Sequence, residues 1–313
     1  MWRRIAGHGR RLGTVAGLFG LCVLLWILTP YFLTVSNLLN VLEQTAINAI
    51  IAVGMTYVII SGGIDLSVGS LLALAGVVLA TVLHQAMPMT IAVAAALAIG
   101  ALFGSLSGIA ITWGRLPPFI ATLGMMSIAR GCALLFTEGR PVSGFDAEFR
   151  SVATARIAGI PGPVFVAAAV YAVGHFVLSE TKFGRYVYAL GGNEEATRLS
   201  GVNVRMYKSA VYAVSGLTSA IAAVLLTARL NSAQPIAGVM YELDAIAAVV
   251  IGGTSLVGGE GSLGGTLIGA LIMGVLRNGL NLLSVSSFMQ QVVIGLVIVG
   301  AVLIDTSLKA RRA

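Results

Sequence analysis

The stretch TKFGRYVYALGGNEEATRLSGVNVRMYKSAVYAVS, Thr181 to Ser215, is a polar, charged interruption in a chain that is otherwise almost all apolar. Within it, Asn193 is placed to cap a helix, and Glu194 and Glu195 fall in a first turn, where the helix dipole favours anions. Arg198 lies near the last turn, and Gly201 is a natural stop just beyond it. The pattern predicts a helix of about two turns. Glu194 and Arg198 are spaced i,i+4, a pair that contributes only about 0.2–0.5 kcal/mol on an exposed face. So short a helix is marginal in water, and something else must hold it. Two readings are open at this point: a linker helix lying on its own protein, or a docking helix gripped by a soluble partner.

Composition narrows the setting. Of 313 residues, 58% are hydrophobic and 10% charged, with 39 glycines and a mean hydropathy of +0.96. No water-soluble domain tolerates that balance. A membrane span needs about 20 mostly apolar residues, and such runs occur at roughly 12–33, 42–61, 66–83, 89–113, 117–137, 161–180, 207–230, 240–256, 264–283 and 287–305. Each carries enough Gly, Ala and Ser for close helix packing. The expected fold is therefore all-α, a polytopic bundle of about ten spans forming one domain over residues 1–313. The run from Leu12 is long for the apolar core of a signal peptide and has no clear cleavage site, so it reads as a first span.

The net charge of +7 does not point to nucleic acid, because the basic residues cluster beside apolar runs. With the N-terminus inside, the inner segments carry Arg3, Arg4, Arg10, Arg11, Arg115, Lys182, Arg185, Arg198, Arg205, Lys208, Lys309, Arg311 and Arg312. That is thirteen of the nineteen Lys and Arg, which supports both termini, and the 181–206 loop, on the cytoplasmic side. The longest outer loop, 138–160, carries nearly balanced charge and reads as a surface cap. Cys22 and Cys132 lie inside apolar runs and read as small core residues with no disulfide.

The weakest span is 240–256, preceded by Gln234-Pro235, followed by Gly252-Gly253, and opening with Glu242 and Asp244. Broken helices of this kind survive where they line a cavity or pack on protein. Two glycine-rich stretches, SGGIDLSVGS (Ser61–Ser70) and GGTSLVGGEGSLGG (Gly252–Gly265), share an order of Gly-Gly, Leu, then Gly-Ser-Leu. That order raises an internal duplication, which low complexity alone also produces.

Several chemistries lack their residues. Lys182, Lys208 and Lys309 follow Thr, Tyr and Leu, so no phosphate-binding Gly-Lys-Ser/Thr loop is present. No His opens an H-E-x-x-H pair and no Ser sits in G-x-S-x-G. An intramembrane hydrolase is the weak alternative. Polar residues inside spans are costly and face a bundle interior or a wet path. Glu43, Gln44 and Asn48 can share a face of the second span, Asp65 opens the third, and Arg130, Arg277, Asn278, Asn281, Gln290 and Gln291 punctuate later ones. Helix-to-helix hydrogen bonding competes with solute contact for Asn48, Asn278 and Asn281. Arg130 and Arg277 read as salt-bridge or carbonyl partners. Membrane carboxylates are too few and too near the span ends to suggest ion coupling. A mildly polar path for a neutral hydroxylated solute fits better, with Asn48, Asp65, Asn278 and Asn281 as candidate path residues.

SGGIDLSVGSLLALAG, LGGNEEATRLSGVNV and the long run from Asn231 to Phe288, NSAQPIAGVMYELDAIAAVVIGGTSLVGGEGSLGGTLIGALIMGVLRNGLNLLSVSSF, together resemble the permease subunit of ribose-type ABC importers for monosaccharides. The likeness runs from about Leu33 to Asp305. It implies a type II importer-like permease of the bacterial inner membrane, without a cofactor and without enzymatic activity of its own. It also implies a homodimer, two cytoplasmic ATP-binding cassette subunits that hydrolyse the ATP, and a periplasmic sugar-binding protein. The loop matching Gly191–Val204 is where ATPase subunits engage in that family, which assigns coupling to Gly192, Asn193, Glu194, Glu195, Arg198 and Gly201. An ion-coupled secondary sugar carrier is the alternative.

Overall fold

The computed structural model describes the backbone of residues 2–310 and the side chains of 13–303. Arg3, Arg4, Arg10, Arg11, Asp305 and Lys309, whose side chains the sequence reading used, and Arg311 and Arg312 altogether, lie outside the described residues. Thirteen helices are described: α1 Trp2–Leu28, α2 Val35–Ile60, α3 Val68–His84, α4 Met89–Thr112, α5 Pro118–Thr137, α6 Ala147–Thr154, α7 Gly162–Glu180, α8 Lys182–Gly192, α9 Glu194–Leu199, α10 Val204–Leu230, α11 Tyr241–Ile251, α12 Leu263–Leu282 and α13 Ser287–Ala310. Four two-residue strands make two small antiparallel ribbons. One pairs β1 (Val142–Ser143) with β4 (Ser232–Ala233), and the other pairs β2 (Arg156–Ile157) with β3 (Ile160–Pro161). The protein is a polytopic helical bundle. Among the described residues, α2, α4, α5, α7, α10 and α12 are long and apolar enough to cross a membrane by length and composition, and shorter apolar stretches lie in α1, α3 and α13.

Two helices form the centre. The apolar windows of α2 and α10 are 61% and 72% buried, against 22% for α4 and α5, so the latter pair belongs to the rim. What lets α4 approach α10 is a file of glycines one turn apart. A Cβ on Gly100 would strike the Gly216 carbonyl, one on Gly104 the Tyr212 carbonyl, and one on Gly108 the Ser209 backbone. This small-residue spacing brings backbones into direct contact where lipid supplies no hydrophobic drive between helices. At the α2–α12 seam, Asn37 and Asn278 exchange amide hydrogen bonds of 3.0 and 2.9 Å.

Two crossings are interrupted. After α2 the chain runs without helix from Gly62 to Ser67 before α3 begins. After α10 it forms β4, then continues irregularly to Met240 before α11, whose 11 residues span only about 16 Å. Gly238 and Met240, both at positive φ (+71° and +72°), make this second bend. The start of α3 meets the approach to α11, because the Gly69 and Gly238 backbones touch without room for a side chain on either. From that meeting point α3 runs toward the end of the bundle carrying α6, where His84 stacks edge-on with Phe145 at 5.6 Å. α11 runs the other way, toward the end carrying α8.

The structure shortens the weak span expected at 240–256: α11 stops at Ile251 and residues 252–262 form a loop. The cause is in the sequence, since Gly252 and Gly253 cost helix and Gly253 adopts φ +89°. Of the two glycine-rich stretches, the first joins α2 to α3 and the second joins α11 to α12. Residues 138–161 contain α6 and three of the four short strands.

The α4–α10 contact makes a direct prediction. Gly104→Ala should destabilise the protein by about 1–3 kcal/mol through overpacking. Gly124→Ala, at a position with open space around it, should stabilise it by roughly 0.5–1 kcal/mol. Thermal unfolding in detergent would show opposite shifts, and a common shift would contradict the packing account.

Candidate functional site

The Thr181–Ser215 stretch folds into more helix than its sequence announces. Thr181 caps α8 by accepting from the Gly184 N–H at 3.4 Å. Gly184, Val187 and Leu190, spaced three apart, are buried, while Lys182, Arg185 and Ala189 are exposed. α8 therefore lies along the bundle as an amphipathic helix. Aromatic rings fasten it: Phe183 stands 6.1 Å from Tyr57 of α2 and 5.9 Å from Tyr207 of α10, and Tyr186 meets Tyr207 edge-on at 4.7 Å. Such ring pairs contribute about 0.5–1.5 kcal/mol beyond their burial.

α9 follows directly, capped at both ends. Asn193 Oδ1 accepts from the Ala196 N–H at 2.9 Å. At the other end the Gly201 N–H donates to the Arg198 carbonyl at 3.1 Å and the Val202 N–H to the Thr197 carbonyl at 3.4 Å, with Gly201 at φ +82°. These two bonds are the Schellman pattern that Gly201 favours. The ion pairing differs from the i,i+4 expectation. Arg198 pairs with Glu195, its Nε donating at 3.0 Å, and this bond holds the Glu195 carboxyl below the usual carboxylate range. Glu194 instead accepts from Lys208 Nζ of α10 at 2.6 Å. The reason is geometric: the turn through Gly201 folds α10 back beside α9. Sequence reading missed this partner because a separation of fourteen residues through a turn carries no periodic signal.

The result is a short helix fixed on its inner side and open on its outer side. Thr197 is buried, while Glu195 and Arg198 keep more than 60% of their side-chain surface exposed and Leu199 is 75% exposed. Gly192, at the end of α8, is exposed with no neighbour within 4 Å of where a Cβ would stand. Six residues cannot hold this shape alone. Its caps, the Lys208 tie and α8 do so.

The four residues assigned to a path separate in the structure. Asp65 has no exposed surface. Its Oδ1 accepts from the Ser67 N–H at 2.9 Å and the Ser67 hydroxyl at 2.6 Å, and its Oδ2 accepts from Ser215 of α10 at 2.7 Å. Asn278 is spent on Asn37. Asn281 Oδ1 accepts from Gln290 Nε2 at 2.8 Å, tying α12 to α13. Asn48 keeps a buried polar atom unanswered: its amide N–H donates to Asp244 at 3.3 Å, while its Oδ1 has no partner within the protein. It stands in a polar group that sequence only partly anticipated, where Arg277 donates to Asp244 at 2.6 Å and, on neighbouring turns, Arg229 pairs with Glu43 at 2.9 Å. Arg130 donates to the carbonyls of Pro235 and Ala237 at 2.6 and 2.8 Å, holding the bend before α11. Both Arg130 and Arg277 are thus carbonyl or salt-bridge partners. Nothing in these groupings forms a nucleophile with its base. The geometry suits mechanical work, with a rigid exposed helix at one end and interrupted helices inside.

Residues 37–302 match the family model described as branched-chain amino acid transport system / permease component. The chain is 51% identical over 290 residues to the ribose import permease protein RbsC of Haemophilus influenzae, covering 91% of this chain and 90% of that protein. It is 52% identical over 310 residues to the protein of the same name from Escherichia coli, covering 95% and 97%. The Bacillus subtilis protein of that name is 48% identical over 301 residues, covering 96% and 94%. No solved structure matches the chain. This kinship favours a permease subunit over an ion-coupled carrier, and with a capped, exposed α9 and a helical bundle around it, the chain belongs to the family of ribose-type ABC importer permeases.

Proposed function

We propose that this chain carries a monosaccharide, first of all a ribose-like pentose, across the bacterial inner membrane by alternating access, and that separate ATP-hydrolysing subunits drive it by gripping α9 from the cytoplasm. The observation that carries the reading is the mounting of α9. Its inner side is locked by Lys208 and by caps at both ends, while Glu195, Arg198 and Leu199 face outward with no intramolecular task beyond their own ion pair. A free short helix would bend under load. One fixed in this way passes a push on to α8 and α10.

In the same reading two copies of the chain face each other, both termini lie in the cytoplasm, and a periplasmic sugar-binding protein docks at the opposite end, where α6 and the ribbons lie. The coupling role of Gly192, Asn193 and Gly201 is to set the exit from α8 and the two ends of α9. Of the sequence-assigned path residues, Asn48 keeps that assignment, because its unpaired amide oxygen suits a hydroxylated solute. Asp65, Asn278 and Asn281 hold helices. The relatives named as ribose import permeases support the choice of sugar.

Exchanging the outward charges, Glu195→Arg with Arg198→Glu, preserves the pair within α9 but inverts what a partner meets. Misplaced like charges at an interface cost several kcal/mol. The ATPase subunits should then fail to co-purify with the membrane chain, and ribose uptake into vesicles should fall at least about tenfold, the equivalent of 1.4 kcal/mol. Undiminished co-purification and ATP-driven uptake would refute the docking role.

The inner lock is tested separately. A double-mutant cycle of Glu194→Ala and Lys208→Met should give a coupling energy of about 1 kcal/mol in unfolding. That is the upper end for a pair with one exposed member, because the Lys208 side chain is only 11% exposed. A coupling energy near zero would remove Lys208 as the anchor.

A further inference from the structure

Just before α9 in the chain, Gly191 meets glycines from two distant parts of the sequence. Gly62 follows α2, Gly191 lies in the last turn of α8, and Gly258 and Gly259 sit in the loop between α11 and α12. The Gly259 N–H donates to the Ile60 carbonyl at 2.9 Å. A Cβ on Gly191 would strike that same carbonyl and the Gly259 nitrogen, and one on Gly258 would stand 3.0 Å from the Cα atoms of Gly191 and Gly62. Gly62, Gly258 and Gly259 all have positive φ, at +79°, +93° and +74°. Main chain therefore touches main chain, with no side chain between to yield. The Tyr188 hydroxyl adds a second tie from α8 to the same loop, donating to the Gly261 carbonyl at 2.8 Å.

Each side of this junction leads to a different working part. Gly191 is two residues from Asn193, the cap of α9. Gly62 opens the extended stretch that Asp65 fixes and that ends at α3. Gly258 follows α11 by a few residues. The two interrupted crossings thus meet α8 at one spot, two residues before the cap of α9.

A second observation falls at the same place. The Tyr212 hydroxyl, fully buried under Gly63, and the Thr254 hydroxyl, buried under Gly261, have no hydrogen-bond partner within the protein. Buried polar groups are nearly always paired, and leaving one unpaired is costly. Both orphans lie against the segments that the junction would displace.

We propose that the Gly62–Gly191–Gly258 junction is the transmission from α9 to the two interrupted helices, and that Tyr212 gains its hydrogen-bond partner in the other conformation of the transport cycle. This rests on the reading of α9 as the ATPase-gripped element. A push on α9 moves Gly191 against both neighbours at once, so α3 and α11 shift together.

The test uses the full chain assembled with its ATPase subunits in vesicles, with ribose as the probe. Gly258→Ala should leave co-purification of the ATPase subunits and ATP hydrolysis intact but lower ribose uptake about tenfold. Gly264→Ala, in the same glycine-rich run but with open space around it, should stay within about twofold of the parent. Tyr212→Phe removes an unpaired group, so thermal stability should hold or rise while uptake falls, a split that a purely structural role would not produce. Uptake at the parent rate in assembled Gly258→Ala or Tyr212→Phe protein would overturn the proposal. Should Gly258→Ala fail to assemble, Tyr212→Phe decides alone. Failure of the parent chain to bring down any ATPase subunit would overturn the reading of α9 itself, and with it the role of the junction.

Discussion

A backbone that leaves the helix inside a bilayer has no water to turn to, so each exposed N–H and C=O must be answered by protein. Asp65 meets that demand for the first interruption. One oxygen takes both the amide and the hydroxyl of Ser67, fixing the turn into α3, and the other takes Ser215 from the central helix α10. Thr122 of α5 donates to the Ile64 carbonyl at 3.3 Å. The stretch is thereby nailed to the middle of the bundle. Arg130 does the same for the second interruption through two carbonyls. Without these contacts both breaks would leave buried polar groups of the main chain unanswered.

The two breaks are also arranged against each other. α3 and α11 start from the same Gly69–Gly238 contact and run in opposite directions. Their N-terminal ends, the positive ends of the peptide dipoles, converge there, and Asp65, Glu242 and Asp244 stand within the first turns or just before them. Half-helices meeting in this way are found where transporters bind or gate solutes. Here they lie between a polar group around Asn48, Asp244 and Arg277 on one side and the Arg130 clamp on the other.

How much of this was legible in the sequence depends on the range of the interaction. Local signals read well: the α9 caps at Asn193 and Gly201, the apolar runs, and the weakness of 240–256 with its Gln-Pro and Gly-Gly flanks. Composition also showed that Arg130 and Arg277 need polar partners. What escaped was non-local. The pairing of Glu194 with Lys208 instead of Arg198 depends on how α10 folds back, and the Asn37–Asn278 clip joins residues 241 positions apart. α8 was hidden for another reason, since its glycines lower helix propensity and only burial against the bundle recovers it. The glycine stretches carry contacts that no local pattern announces, Gly62 and Gly258 against Gly191 and Gly69 against Gly238.

In the proposed function α9 is an inner-face lever, anchored by Lys208 and gripped on its exposed side by another protein. The most direct measurement is labelling of a single cysteine at Glu195→Cys, with Cys22 and Cys132 replaced, by a membrane-impermeant maleimide. The account predicts labelling in inside-out vesicles alone, and protection there once the ATPase subunits are bound. Labelling from the outer side, or no protection by bound ATPase subunits, would contradict it.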